Sequence, residues 1–540
     1  MLVVAVLPGI LFPPKKQAGR RVNGLVDSTR AAGDTVAASV VTPSRPSAYP
    51  PTRPPSVVSA PAETVWVTSP TCRYGFSTVG GQLVSAELLD YRSFAPRDSG
   101  RAVQLIAPGH AVLATRLVAG GDTAALDGWS FVPSVPALRV DREHTRLSFS
   151  AERQGARVTL EYVFDPDGYR FEAIGRVTGL GPTGAVLAVG LGEGLRSVEA
   201  DSTDDFRHFA MVTKATKTQS TAFQSLQPGQ IKILDGPFEW VGLKSKYFLL
   251  AALALEDNHP KFGGSIAVGG PRQGKTATRA TVSVTLPVAP AGDYRFQMYV
   301  GPLEYRRLAS IGHDLDDANP YGGFLRPLIQ PVSTLVENVL LWMHDRLQLP
   351  YGWVLIIFGI VVRLVLWPLN QRAMESSIRM QAAAPLIKAT QDRYKDEPER
   401  LQREMLKVYK EHQVNPFGGC LPMLLPMPVL FALFFVFANT IEFRGVPFLW
   451  LPDLSRADPY FIIPVLMGAS MFVLSKVGQM GVPPNPQAKT MLYFMPIFMT
   501  VLFFRFAAGL NLYYAASNIF SIPQQYLVAQ RRLRQQGKAT

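Results

Sequence analysis

The sequence predicts a polytopic α-helical membrane protein with five core transmembrane helices and an external all-β sandwich domain. Three observations carry that prediction. Apolar residues are concentrated after residue 350, where five hydrophobic segments follow one another. Over residues 64–300 the hydrophobic period is instead two, with frequent Gly and Pro between short runs. The basic residues of the second half are unevenly shared among its connections, which orients the spans. Of 540 residues 47% are hydrophobic, yet the mean hydropathy is only +0.11, too low for a chain made wholly of spans. Net charge is +13, but the first half has no basic run, so positive-inside topology or anionic lipid explains the charge better than nucleic acid. Cys72 and Cys420 fall in different regions, which predicts neither a disulfide framework nor a thiolate metal site.

The amino-terminal apolar stretch, residues 1–16, is too short to span and is interrupted by Pro8-Gly9. It reads as a signal-anchor segment shortened by a misplaced start. Residues 17–62 form a Pro-rich linker that cannot build a core. The external domain occupies 63–310. Val158, Leu160, Tyr162 and Phe164 alternate with polar neighbours, Asp165-Pro-Asp-Gly168 turns, and Tyr169, Phe171 and Ala173 continue the alternation as a hairpin. Tyr294, Phe296, Met298 and Val300 predict another strand. Gly269 to Thr276 spells a phosphate loop and Gly179 to Gly184 a dinucleotide loop. Both are rejected, because strand-like alternation and not a helix follows each.

Helical periodicity returns over 320–347. There Val332, Leu335, Val336, Val339, Leu340 and Met343 are expected on one face, with Glu337, Asn338, His344 and Asp345 largely elsewhere. This amphipathic helix is too polar to span and is expected to lie on the membrane surface. The core, 348–530, has spans expected near 350–370, 418–441, 460–477, 490–504 and 506–528. Residues 371–415 read as a helical hairpin whose second arm starts at Asp396-Glu397-Pro398, and they carry nine Lys/Arg against seven Asp/Glu. The tail, 531–540, has four basic and no acidic residues, whereas 442–459 has only Arg444 and Arg456 as basic residues. The positive-inside rule therefore places hairpin and tail in the cytoplasm and the β domain outside. Basic groups so placed are also expected to meet anionic lipids or the ribosome.

One residue violates the apolar pattern of the first core span. Arg363 lies in Tyr351-Gly-Trp-Val-Leu-Ile-Ile-Phe-Gly-Ile-Val-Val-Arg-Leu-Val-Leu-Trp-Pro-Leu369, an otherwise uncharged run. A guanidinium cannot discard its charge, and holding it at membrane depth costs at least a few kcal/mol. It is expected to face a partner or a watery cavity.

Val361-Val-Arg-Leu-Val-Leu-Trp-Pro-Leu369, Val414-Asn-Pro-Phe-Gly-Gly-Cys-Leu-Pro422 and Gly509-Leu-Asn-Leu-Tyr-Tyr-Ala-Ala-Ser-Asn518 resemble the YidC family of bacterial membrane-protein insertases. The resemblance runs over nearly all of 320–530 and more weakly over the β domain. It implies five core spans around a hydrophilic groove that is open to cytoplasm and lipid and closed outside, in a bacterial inner membrane. It also implies that Arg363 receives polar or acidic parts of an incoming nascent membrane protein, with or without the Sec translocon. Beside Arg363, the candidates for the polar lining are Asn370, Gln371, Asn439, Asn511, Tyr514, Asn518 and Gln524; hydrogen bonding between helices is the alternative for each asparagine. The chain departs from the resemblance at Gly359, where the family usually carries a hydroxyl residue one turn before the arginine. No cofactor and no small-molecule substrate is expected. A membrane protease is disfavoured because all seven histidines lie outside the five core spans and no span holds Asp or Glu. A transporter is disfavoured by the lack of an internal repeat.

Overall fold

The computed structural model describes residues 62–536, apart from 120–121, 142, 154, 167, 180–184, 257–258, 274–275, 320–325, 412–426 and 482–485. The amino-terminal anchor, the Pro-rich linker, Cys420 and the last residues of the tail fall outside the described residues.

Period-two alternation builds the outer domain. Its sheets have nine, six and five strands, with a two-stranded ribbon besides. In the largest sheet Ala156–Phe164 pairs antiparallel with Arg170–Thr178, which pairs in turn with Asp293–Pro302. The inward residues of these strands, among them Leu160, Tyr162, Phe171 and Met298, join one buried core. Aromatic rings dominate its centre, Phe76 lying 4.6 Å from Tyr162 and 5.9 Å from Phe171. The apparent phosphate loop is a hairpin, Arg272–Gln273 pairing with Thr276–Ala277, and strand Ala280–Pro287 follows it. Strand Val186–Gly192 follows the apparent dinucleotide loop. Neither offers the helix amino terminus that phosphate binding requires.

Ten α-helices lie among the described residues. Helix α1 (Ser202–His208) and helix α2 (Tyr305–Ile311) belong to the outer domain. Then come α3 (Arg326–Leu347), α4 (Tyr351–Val365), α5 (Trp367–Arg393), α6 (Pro398–Glu411), α7 (Met427–Asn439), α8 (Ile462–Gly478), α9 (Pro486–Phe503) and α10 (Ala508–Gln536). Among the described residues no single helix is long and apolar enough to cross a membrane. One consecutive pair, 327–347 with 351–365, reaches that measure together and is bent by 119°. Gln348, with φ +52°, and Pro350 make that bend.

Two expectations need correcting. The apolar residues expected on one face of α3 divide, Leu335 being 62% exposed while Val336, Leu340 and Met343 are buried, and Glu337, expected largely elsewhere, is buried with them at 1% exposed. The buried face instead joins Ile329, Ser333, Val336, Glu337 and Leu340, while Leu328, Leu335 and Trp342 form an exposed stripe seven residues apart. A helix with apolar residues on two faces has no single amphipathic reading, so only its neighbours decide which face is covered. The run expected as one segment from 350 to 370 is also interrupted at Leu366. Pro368 has no N–H for the carbonyl four residues back, and it sits in the first turn of α5, so Asn370 and Gln371 belong to the helix after the one bearing Arg363.

Candidate functional site

Helices α4 and α10 run against each other, and Gly359 lets them approach: a Cβ there would lie 3.3 Å from the Tyr513 ring. Phe358 and Tyr513 pack beside it with ring centroids 5.9 Å apart. One turn further along α4, Arg363 is half-buried and donates from Nε to the Ser521 hydroxyl of α10. Ser521 donates in turn to the carbonyl of Ser517 at 2.6 Å. Among the described residues no carboxylate pairs with Arg363. Its charge is oriented by a hydroxyl and, among the described residues, has no counter-ion.

The Arg363 contact belongs to a stripe on α10. Tyr514, Ser517, Ser521 and Gln524 follow at spacings of three, four and three, the repeat that aligns side chains on one helix face. Ser517, Ser521 and Gln524 are buried, and Tyr514 is half-buried with its ring against Phe503. Among the described residues the buried Gln524 Nε2 has no hydrogen-bond partner. Sequence reasoning singled out Tyr514 and Gln524 and missed Ser517 and Ser521, although the three-four-three spacing was there to find them.

The remaining candidates separate. Asn518 donates from Nδ2 to Ser470 of α8 at 3.3 Å, and Asn511 donates to the carbonyl of Phe503 at 3.1 Å, tying the turn between α9 and α10. Both side chains thus make hydrogen bonds that tie helices together. Among the described residues Asn511 Oδ1 is buried without a partner. Asn370 is buried and Gln371 half-buried, both on α5 and apart from the stripe in sequence. Asn439 ends α7, and its side chain lies outside the described residues.

Large apolar side chains point outward around this site: Leu364 and Val365 on α4, Val465 and Leu466 on α8, Phe494, Ile497 and Val501 on α9. So wide an exposed apolar surface belongs to lipid or to a client, since water would penalise it.

The sequence matches the family described as 60Kd inner membrane protein over residues 342–536 and the one described as YidC periplasmic domain over residues 64–335. The membrane protein insertase YidC of Polynucleobacter asymbioticus is 32% identical over 71% of this chain and 69% of its own length. The chain belongs to the YidC family of membrane protein insertases. The insertase of Burkholderia multivorans is 29% identical over 97% of this chain and 93% of its own. A crystal structure of an active YidC insertase with its first transmembrane domain resolved shares 18% identity over 86% of this chain and 92% of that one, with a TM-score of 0.35. Family membership makes this an insertase rather than an enzyme, an inner-membrane protein with a periplasmic β domain whose clients are nascent membrane proteins.

Proposed function

We propose that Arg363 and the hydroxyl stripe of α10 line a hydrophilic groove among five spans, and that this groove receives the polar or acidic segment of an incoming membrane protein. The single observation behind this reading is a half-buried guanidinium that a serine holds and no described carboxylate neutralises. A cation in low-dielectric surroundings attracts an acidic segment strongly, and a wet groove lowers the cost of desolvating it. Apolar parts of the client then slide along the outward faces of α8 and α9 into lipid. In this reading α3 lies along the outer membrane surface, presenting Leu328, Leu335 and Trp342 to the headgroups, while α4 turns into the bilayer through the 119° bend. Helices α5 and α6 and the tail face the cytoplasm, where their cations meet ribosome and anionic lipid. The protein inserts clients alone or beside the Sec translocon and assists their folding.

Photocrosslinkers placed at Arg363 and Tyr514 test this against a stalled nascent chain. Adducts from both positions are the expected result. Adducts only from the lipid-facing Phe494 or Ile497 would assign the client to a different path.

A further inference from the structure

The connection between α7 and α8 is fastened to two parts of the molecule at once. At its start Ile441 is buried within the hydrophobic core of the outer domain. Arg444 follows with its side chain 3% exposed and its Nε 2.8 Å from Glu199 Oε1 of that domain. The guanidinium lies 4.4 Å from the Phe94 ring centroid and 5.4 Å from that of Phe248. Gly445 comes next with φ +73°, and a Cβ there would fall 2.6 Å from Phe94, so the backbone itself is pressed onto the outer domain. The later part of the connection belongs to the helices. Phe448, Leu451 and Leu454 lie in their core, and Phe448 packs 5.6 Å from Trp353 at the start of α4. The carbonyls of Leu454 and Arg456 accept from Gly509 and Ala508, at 2.9 and 2.7 Å, where α10 begins. One stretch therefore joins the outer domain to the near ends of α4 and α10, the two helices that carry Arg363 and its serine.

We propose that Arg444 is a positioning residue through which the outer domain holds this connection across the external end of the groove, keeping it shut while a client enters from the other side. The inference rests on the groove reading above. A surface ion pair would tolerate sliding, because water replaces either partner. A desolvated guanidinium boxed by rings and one carboxylate has a single seat, since leaving it means admitting water to both charges. Such a pair fixes geometry even where it adds little net stability, which suits a closure.

The test uses the full chain in lipid vesicles with the outer domain facing out, comparing Arg444→Ala, Arg444→Lys and Glu199→Gln. Amide exchange is followed in 446–456 and 508–514. In a background without Cys72 and Cys420, Ser517→Cys is labelled by a membrane-impermeant maleimide added outside. Arg444→Ala and Glu199→Gln are expected to raise both exchange and labelling at least tenfold, with Arg444→Lys retaining most of the closure. Exchange in outer-domain strand Thr145–Arg153 should stay unchanged. Unaltered exchange and labelling in Glu199→Gln, which keeps the shape of the side chain, would overturn the proposal even if Arg444→Ala unfolds. Labelling of Ser517→Cys from the opposite side, in the otherwise unaltered chain, reports the groove by itself. Its absence would defeat the groove and not the closure.

Discussion

Buried cations are treated differently in the two regions of this molecule. In the outer domain Lys214 meets Asp314, Lys246 meets Asp204 at 2.9 Å, and Lys244 donates to the Asn319 side chain. Arg444 brings its charge in from the helical region and still finds Glu199. Burial pushes the Lys244 ammonium down to about 8, opposed in part by attraction to the Asp205 carboxylate, while its hydrogen-bond partner is an amide oxygen. In the helical region Arg363 has a serine and, among the described residues, no carboxylate. The outer domain relieves its buried cations by pairing them with a carboxylate or, at Lys244, by a shift toward the neutral form, because leaving a charge unpaired costs several kcal/mol. A region that keeps one unneutralised holds electrostatic energy available to whatever enters. Under the proposed groove reading, the contrast separates a scaffold half from a receiving half.

The sharpest way to break this comparison is to remove the unneutralised charge. Arg363→Ala should lower insertion of a client with an acidic translocated tail at least tenfold at equal protein level, and Arg363→Lys should retain part of the activity, since charge matters more than the planar fork. Normal insertion by the alanine variant would put Arg363 on the scaffold side of the contrast.

Asp205 probes the outer domain's own balance. Burial pushes its carboxyl up to about 7, opposed by hydrogen bonding from the Ser197 side chain and from the Lys246 amide, which donates to Oδ1 at 3.1 Å. A carboxyl raised on folding contributes stability that is present when it is protonated and lost as pH rises through the folded value. The outer domain should therefore lose roughly 1–2 kcal/mol between about pH 4 and pH 7 through this group, less than the full linkage because a charged site relaxes its surroundings. Asp205→Asn should abolish that slope in thermal melts. Identical slopes in the two proteins would show that the carboxyl titrates normally.

Ser521→Ala measures how much the hydroxyl contributes to placing Arg363. Loss of one hydrogen bond to a charged group, at about 1.5 kcal/mol, predicts roughly tenfold at most and about threefold once the guanidinium finds water. Insertion of the same acidic-tailed client reads this out, and a loss as deep as that of Arg363→Ala would mean the serine acts in its own right. Removing residues 530–540 should weaken cosedimentation with ribosomes severalfold at low salt and hardly at all at high salt, because surface cations contribute about 1 kcal/mol each and are screened within a Debye length. Equal sedimentation across salt concentrations would leave the tail with topology alone.

Deleting most of the outer domain while retaining an anchor and residues from about 320 onward should change insertion of a simple client by less than about twofold, since Arg363 and Ser521 both lie in the helices, while external labelling of Ser517→Cys should rise because Arg444 loses Glu199. Loss of all insertion in a stably produced deletion would transfer the function to the half described here as scaffold.

What the sequence determined by itself is what depends on neighbours along the chain. Alternation in 158–173 required strands whatever they packed on, and Pro398 required a helix start. A guanidinium inside an apolar run was costly in any fold that buried the run, so Arg363 stood out before any partner was known. Partners were another matter. Arg363 and Ser521 are 158 residues apart, and Arg444 and Glu199 are 245 apart. Which residue meets which depends on the rotation and register of packed elements, and a shift of one position on a helix turns a side chain by about 100°. The same reason hid the burial of Glu337, the exposure of Leu335 and the packing roles of Asn511 and Asn518. Periodicity names the faces of a helix, but only the assembled tertiary structure chooses which of them is covered.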